Sequence, residues 1–330
     1  MKQILNEWRK YLVEQDNPSV DANLLDTSKM RDFSYVFGTI DGKILARHNE
    51  NKLFYGASNN KPFLALFNLI KCSTPKSPEE TPCECLRDDE LRALLNYDPK
   101  DPKTGKTTRA VRTSHGGDSN VVNRTLSDRE PSADNKVYNK YQKKYIKDRK
   151  KQLCKPTGNK EATDFLAKLG FDTNMLVRYG LRQNKQSALG YFKLFSFLAK
   201  PEEYLKKLNP DLMKNQNFVN AANHVLRWMR REFSSGRDHE HQGRFLKHLN
   251  DLKKMGLPVQ SLYGKGGYYR NANNSAMIID DKYIFALFSN VEPKINKPKG
   301  KGGSKNEVMD QMSKIIADVL VASGKYSIQK

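Results

Sequence analysis

The stretch "FYGASNNKPFLALF", Phe54–Phe67, holds a short extended run, a break at Gly56 and the start of a helix. Ser58 stands at the break, and Lys61 follows three residues on. Two readings compete for Ser58-Asn59-Asn60-Lys61. In one, the serine caps a helix and the lysine is solvated. In the other, Ser58 is a nucleophile. Its Oγ then lies at the positive end of the helix dipole, and its N–H, which lacks an intrahelical acceptor, can meet an oxyanion. Lys61, one turn further, lies on the same face and reaches the hydroxyl. Pro62 is tolerated in a first turn. The tetrapeptide taken alone favours the cap, so the surroundings have to decide.

Upstream, FSYVFGTI (33–40) is rich in β-formers, Asp41-Gly42 is a two-residue hairpin signal, and KILARH (43–48) reads as the return strand. Residues 1–15 place Ile4, Leu5, Trp8, Tyr11 and Leu12 on one helical face. Downstream, Phe63–Ile70 is an apolar helix. From Cys72 to Lys155 the composition turns to Pro, Asp, Lys and Ser, which reads as an insertion with long loops. It contains one short helix, LRDDELRALLNY, and ends in a basic helix with Tyr138, Tyr141 and Tyr145 on one side.

Further helices are predicted at EATDFLAKLGF (161–171), closed by Gly170, at Ala188–Leu198, at Phe218–Phe233, and at FLKHLNDLKKM, stopped by Gly256-Leu257-Pro258. LYGKGGYY, SAMIID and YIFALFSN then read as three strands, separated by Asn-rich and Asp-Asp-Lys turns. A Gly/Lys linker (297–305) precedes a last helix, Val308–Ala322. This order predicts an α+β fold: a five-stranded antiparallel sheet drawn from both ends of the chain, flanked by terminal helices, with an all-helical domain inserted. The expected units are residues 1–16 (helix or leader), 17–71 with 256–330 (sheet), 72–156 (insertion) and 157–255 (helical).

Composition narrows the function classes. The chain has 330 residues, 37% hydrophobic and 29% charged, enough for a sizeable core. Its net charge of +21 predicts attraction to polyanions such as nucleic acid or anionic cell-wall polymer. No apolar stretch is long enough to cross a bilayer. MKQILNEWRKYLVE is broken by Asn6, Glu7, Arg9 and Lys10 and lacks the apolar core of a secretory signal, so synthesis in the cytoplasm is expected. Cys72, Cys83, Cys85 and Cys154 read as reduced thiols, with zinc ligation as the alternative. His239-Glu240-His241 reads as a solvated loop. The tyrosine stripe near Lys143–Lys151 reads as core packing with a solvated basic face, or as a polyanion surface. No metal or cofactor is expected.

The order of elements around Ser58-x-x-Lys61 resembles the serine penicillin-recognising enzymes, which comprise the class A-type β-lactamases and the D-alanyl-D-alanine peptidases (penicillin-binding proteins). The resemblance runs from about Phe33 to Asn290, the insertion excepted. It implies Ser58 as nucleophile and Lys61 as its base. Thr157-Gly158-Asn159, leading into an amphipathic helix, stands for the family's Ser-x-Asn. Thr157 would relay a proton to the leaving group, and Asn159 would bind the substrate amide. Lys265-Gly266-Gly267, opening a strand, stands for Lys-Thr/Ser-Gly. Lys265 would draw an anionic substrate, Gly267 would let the substrate backbone approach, and the Tyr268 N–H would join that of Ser58 in an oxyanion hole. The literal Ser132-Ala133-Asp134-Asn135 and Lys103-Thr104-Gly105 stand in the wrong context or order.

Two departures matter. Gly266 lacks the hydroxyl that binds the substrate carboxylate, and Arg270 is the candidate substitute. Class A enzymes carry a Glu after the second motif for the deacylating water, and no Glu occurs between Phe165 and Lys200. A second, weaker resemblance lies at the N-terminus. Leu12-Val13-Glu14 looks like the Leu-x-Glu cleavage site that ends capsid-targeting leaders of internal virion proteins in large tailed phages.

The expected activity is serine acyl transfer on a peptidoglycan stem peptide or related amide or ester, without cofactor. The alternatives are a non-enzymatic basic binding or structural protein, packaged in a virion, and a glutaminase-like amidase. The sequence leaves the oligomeric state open.

Overall fold

The apolar runs from the two ends of the chain meet in one sheet. A computed structural model describes residues 25–28, 30–74, 83–96, 152–156, 158–171, 185–230, 243–269, 272–291 and 304–329, with scattered helical residues between 122 and 147. The strands are β1 (Met30–Thr39), β2 (Ile44–His48), β3 (Phe54–Tyr55), β4 (Lys185–Gln186), β5 (Leu262–Tyr269), β6 (Ala272–Ile279) and β7 (Tyr283–Val291). The helices are α1 (Lys61–Ser73), α2 (Asp88–Asn96), α3 (Asn159–Lys168), α4 (Ala188–Ala199), α5 (Pro201–Leu208), α6 (Pro210–Met213), α7 (Gln216–Arg230), α8 (Gly243–Lys254) and α9 (Ser304–Ala322). A 3-10 turn, Ala57–Asn60, runs directly into α1.

The five-stranded sheet has the order β2-β1-β7-β6-β5 and is antiparallel throughout, as expected. Its faces follow the two-residue period of a strand. Val36, Ala276, Ile278, Ile284, Ala286 and Phe288 join a core with α1, α4 and α7. Tyr35, Phe37, Met277, Ile279, Phe285 and Leu287 join a second core with α8 and α9. Helices cover both faces, so these strands read as continuous apolar runs rather than alternating ones. Helix α4, ALGYFKLFSFLA, is buried around most of its circumference between the sheet and α7.

Three expectations are corrected. The β1–β2 connection is not a two-residue turn. Thr39 N–H donates to Lys43 O at 2.8 Å, leaving Ile40-Asp41-Gly42 as a three-residue loop with Gly42 at φ +96°. That is the loop in which the last residue turns left-handed, and glycine takes the conformation without cost. The "Asn-rich turn" is also strand: Asn273 and Asn274 lie inside β6, paired with Tyr268 and Gly267. The β6–β7 turn is tight as expected, with Asp280 and Asp281 at φ +51° and +52°.

The third correction concerns the cysteines. They are neither reduced thiols nor zinc ligands but form two disulfides, Cys72–Cys85 and Cys83–Cys154. Sequence spacing could not bring them together. The contact is made by Asn68 on α1, fully buried, whose Nδ2 donates to Glu84 O and Cys154 O while its Oδ1 accepts from Leu86 N. One amide thus gathers the segment after Cys83, the segment ending at Cys154 and the last turns of α1. The N-terminal helix, Leu12-Val13-Glu14, Tyr138, Tyr141, Tyr145 and His239-Glu240-His241 lie outside the described residues. No helix among those described is long and apolar enough to cross a membrane, and no cluster of metal-ligating side chains occurs among them.

A polar chain crosses the second core. Arg244 Nη1 donates to Ser275 Oγ (3.1 Å), Ser275 Oγ lies 3.2 Å from His248 Nε2, and His248 Nδ1 lies 2.8 Å from Ser313 Oγ, which donates to Asp251. Every donor in this chain finds an acceptor if His248 is neutral, with its proton on Nδ1. Burial, with Arg244 and Lys247 nearby, holds the His248 pKa down to about 3. The unfolded histidine titrates near 6.5, so the folded state binds fewer protons between those values. This contribution is present above pH 6.5 and is lost as pH falls toward 3.

Two outcomes follow. Unfolding midpoints in urea fall as pH drops from 6.5, and His248→Gln flattens that part of the profile. An unchanged profile would contradict a buried neutral His248. Thiol titration of the denatured, unreduced protein finds no free cysteine among the four. Reduction then costs about 2–5 kcal/mol per bond, read as a lower Tm.

Candidate active site

Ser58 lies in the 3-10 turn and is not a cap. The residue that caps the turn is Gly56, the N-cap of α1 is Asn60, and neither position is closed by a side-chain hydrogen bond. The first backbone bond of the turn runs from Asn59 N to Gly56 O (2.9 Å), so the Ser58 N–H precedes the hydrogen-bonded ladder. From Gly56 to Ile70 every residue is buried except Ser58, which is partly open to solvent. Lys61 is wholly buried at the first position of α1, and its N–H donates to Ser58 O.

The residue before Ser58 is strained. Ala57 has φ +50° and is fully buried. A non-glycine residue held there costs about 1–3 kcal/mol and persists only where its neighbours over-determine it. One such neighbour is β5. A Cβ at Gly267 would come within 2.5 Å of Gly56 O and 2.8 Å of Asn59 Oδ1, so only glycine lets the Ser58 turn lie against this strand. The sequence explained Gly267 by the approach of substrate; the approach visible here is made by the chain's own turn.

Lys265, two residues earlier on the same side of β5, is 3% exposed, and its Nζ donates to Gly266 O at 3.2 Å. Two nearly buried lysines thus belong to the two segments that meet here, Lys61 to the helix that continues the Ser58 turn and Lys265 to the strand on which that turn rests. Lysine is seldom buried without partners, and neither of these two is without one. β5 is an edge strand, so one row of its backbone groups, Tyr268 within the run, is unpaired within the sheet.

Gly266 faces the other side. There a Cβ would meet the Arg244 side chain at 2.6 Å, and the guanidinium is tied to Asn274 O (2.6 Å) and Ser275 Oγ. An arginine from α8 thus occupies the space into which a residue-266 side chain would project. No signal in the sequence pointed to Arg244. Gly158 caps α3 and Asn159 opens it. Thr157, Arg270 and the side chains of Asn159 and Tyr268 lie outside what is described.

No family model matches the sequence, and no curated protein matches it. Among solved structures, the chain is similar to a β-lactamase from Desulfarculus baarsii DSM 2075 at 15% identity and TM-score 0.41, over 97% of this chain and 96% of that one. It is similar to a variant of the last common ancestor of Gram-negative bacteria β-lactamase class A at 14% identity and TM-score 0.41, over 89% and 92%. Its likeness to PBP-A is 14% identity with TM-score 0.42, over 98% and 97%. Likeness at this level carries no weight for activity, which has to be argued from the site itself.

Gly267→Ala places a methyl against backbone and is expected to cost about 1–3 kcal/mol by overpacking. Gly158→Ala, where nothing lies within 4 Å of the added Cβ, is the control. Equal urea midpoints for the two variants would show that β5 and the Ser58 turn do not touch as described.

Proposed function

We propose that this chain is a serine acyl-transfer enzyme of the penicillin-recognising type, acting on a peptidoglycan stem peptide or a related amide or ester. The observation that carries the reading is the exposure pattern: Ser58 alone is reachable in the buried run Gly56–Ile70, and Lys61, three residues on, is wholly buried. Ser58 Oγ attacks the carbonyl carbon as Lys61 takes its proton, and the carbonyl π electrons move to oxygen. The N–H groups of Ser58 and Tyr268 receive that oxyanion, a contribution worth about 3 kcal/mol per donor in such sites. Collapse of the intermediate expels the leaving group, which takes a proton relayed by Thr157, and leaves an acyl-serine. Asn159 orients the acyl side chain, Lys265 draws the substrate's negative charge, and Arg270 serves its carboxylate. The family's inserted helical domain would correspond to the helices between β2 and β5 that pack in the first core, and a glutaminase-like amidase would use the same serine.

A specific departure favours a second reading. Gly266 brings no hydroxyl, and the space beside it is filled by Arg244. With a net charge of +21, this fits a basic binding or structural protein, a virion component among the candidates, whose site no longer reacts.

Labelling with a fluorescent penicillin separates the two. The enzyme reading expects one labelled band, absent in Ser58→Ala and formed about 10²–10⁴-fold more slowly in Lys61→Met. No label on the folded wild type, together with salt-sensitive polyanion binding, would replace it with the second reading.

A further inference from the structure

We infer that Asn274 is a positioning residue for Ser58, a clamp between the central sheet and the strand that leads into the Ser58 turn. The inference rests on the reading of Ser58 as nucleophile. Asn274 is fully buried in β6. Its Nδ2 donates to Tyr55 O at 2.8 Å, and its Oδ1 accepts from Ser289 N at 3.1 Å. Tyr55 belongs to β3, three residues before Ser58, and among the described residues β3 otherwise pairs only with the two residues of β4.

The sheet gives way to make this contact. β6 and β7 are in register at Ala272↔Asn290 and again from Ser275↔Leu287. Between those points the Asn274 side chain, rather than a ladder carbonyl, takes the Ser289 N–H. Its neighbour Asn273, on the opposite face of the strand, is equally buried, and neither atom of its amide has a partner among the described residues.

Only a carboxamide fits the position. The group must donate at one end and accept at the other. Asp accepts from Ser289 but, when ionised, turns a second oxygen toward the Tyr55 carbonyl. Ala does neither. Two further contacts hold the turn, the Asn59 N–H to Gly56 O bond and the glycine seat on β5. Asn274 adds a hydrogen bond from inside the sheet to the segment feeding Ala57, whose left-handed conformation needs such support.

Asn274→Asp tests this, because it keeps the Ser289 bond and removes the Tyr55 bond. The readouts are the penicillin labelling rate of Ser58 as a function of penicillin concentration, and native-state amide exchange. The clamp predicts a saturating acylation rate at least about tenfold lower, an unchanged half-saturating concentration, and faster exchange at Gly56–Asn59 while Phe285–Leu287 keep their protection. Labelling at the wild-type rate with unchanged exchange at Gly56–Asn59 overturns the inference. So does faster exchange of both segments alike, which would be general loosening. Where the wild type itself takes no label, the acyl-transfer reading fails. Exchange then decides the clamp alone, by whether Gly56–Asn59 loosen selectively. If Asn274→Asp does not fold, Asn274→Ser, too short to reach Tyr55, gives the same comparison.

Discussion

Gly267 has room for a hydrogen and nothing larger, and the site depends on that. Because the strand carries no side chain there, the carbonyl of Gly56 and the amide of Asn59 lie directly against β5. That contact fixes the turn, the turn fixes Ala57 in a left-handed conformation, and Ala57 aims Ser58 out of an otherwise buried run. Backbone strain of this kind is stable only when several contacts agree on it. Here they come from β5, from β6 through Asn274, and from the turn's own hydrogen bond.

The remainder of the fold gives those contacts a rigid base. The sheet is covered on both faces, so neither β5 nor β6 can shift without disturbing a packed layer. The chain from Arg244 to Asp251 ties α8 and α9 to β6 from behind, beside the strand that carries Gly266 and Lys265. At the opposite end of α1, Asn68 and the two disulfides anchor the helix that begins with Lys61. The long excursion after Cys72 therefore leaves and returns at a fixed neck.

Much of the sheet was legible because strands announce themselves locally. FSYVFGTI, SAMIID and YIFALFSN are apolar β-branched and aromatic runs between turn residues, and all three became sheet strands. What was not legible depended on contacts between distant segments. Asn273-Asn274 looks like a turn until β6 is paired with β5 and β7. The cysteines look like free thiols until Asn68 collects their segments. Ser58 looks like a cap until the burial of its neighbours shows that it caps nothing. Arg244 lies 22 residues from Gly266 in sequence, and only the packing of α8 brings its side chain there. At Gly267 the close approach that the structure shows is made by the chain's own turn, a contact between segments about 210 residues apart that no local pattern announces.

With no Glu between Phe165 and Lys200 to activate a water, the proposed acyl-serine is expected to form and to leave slowly. Mass mapping after a stoichiometric pulse of penicillin tests this most directly. One adduct per chain should appear on the tryptic peptide Leu53–Lys71, with Ser58 the modified residue, and should persist well beyond the pulse. An adduct on a lysine or elsewhere in the chain, or none on folded protein, would contradict the claim that this turn presents a nucleophile.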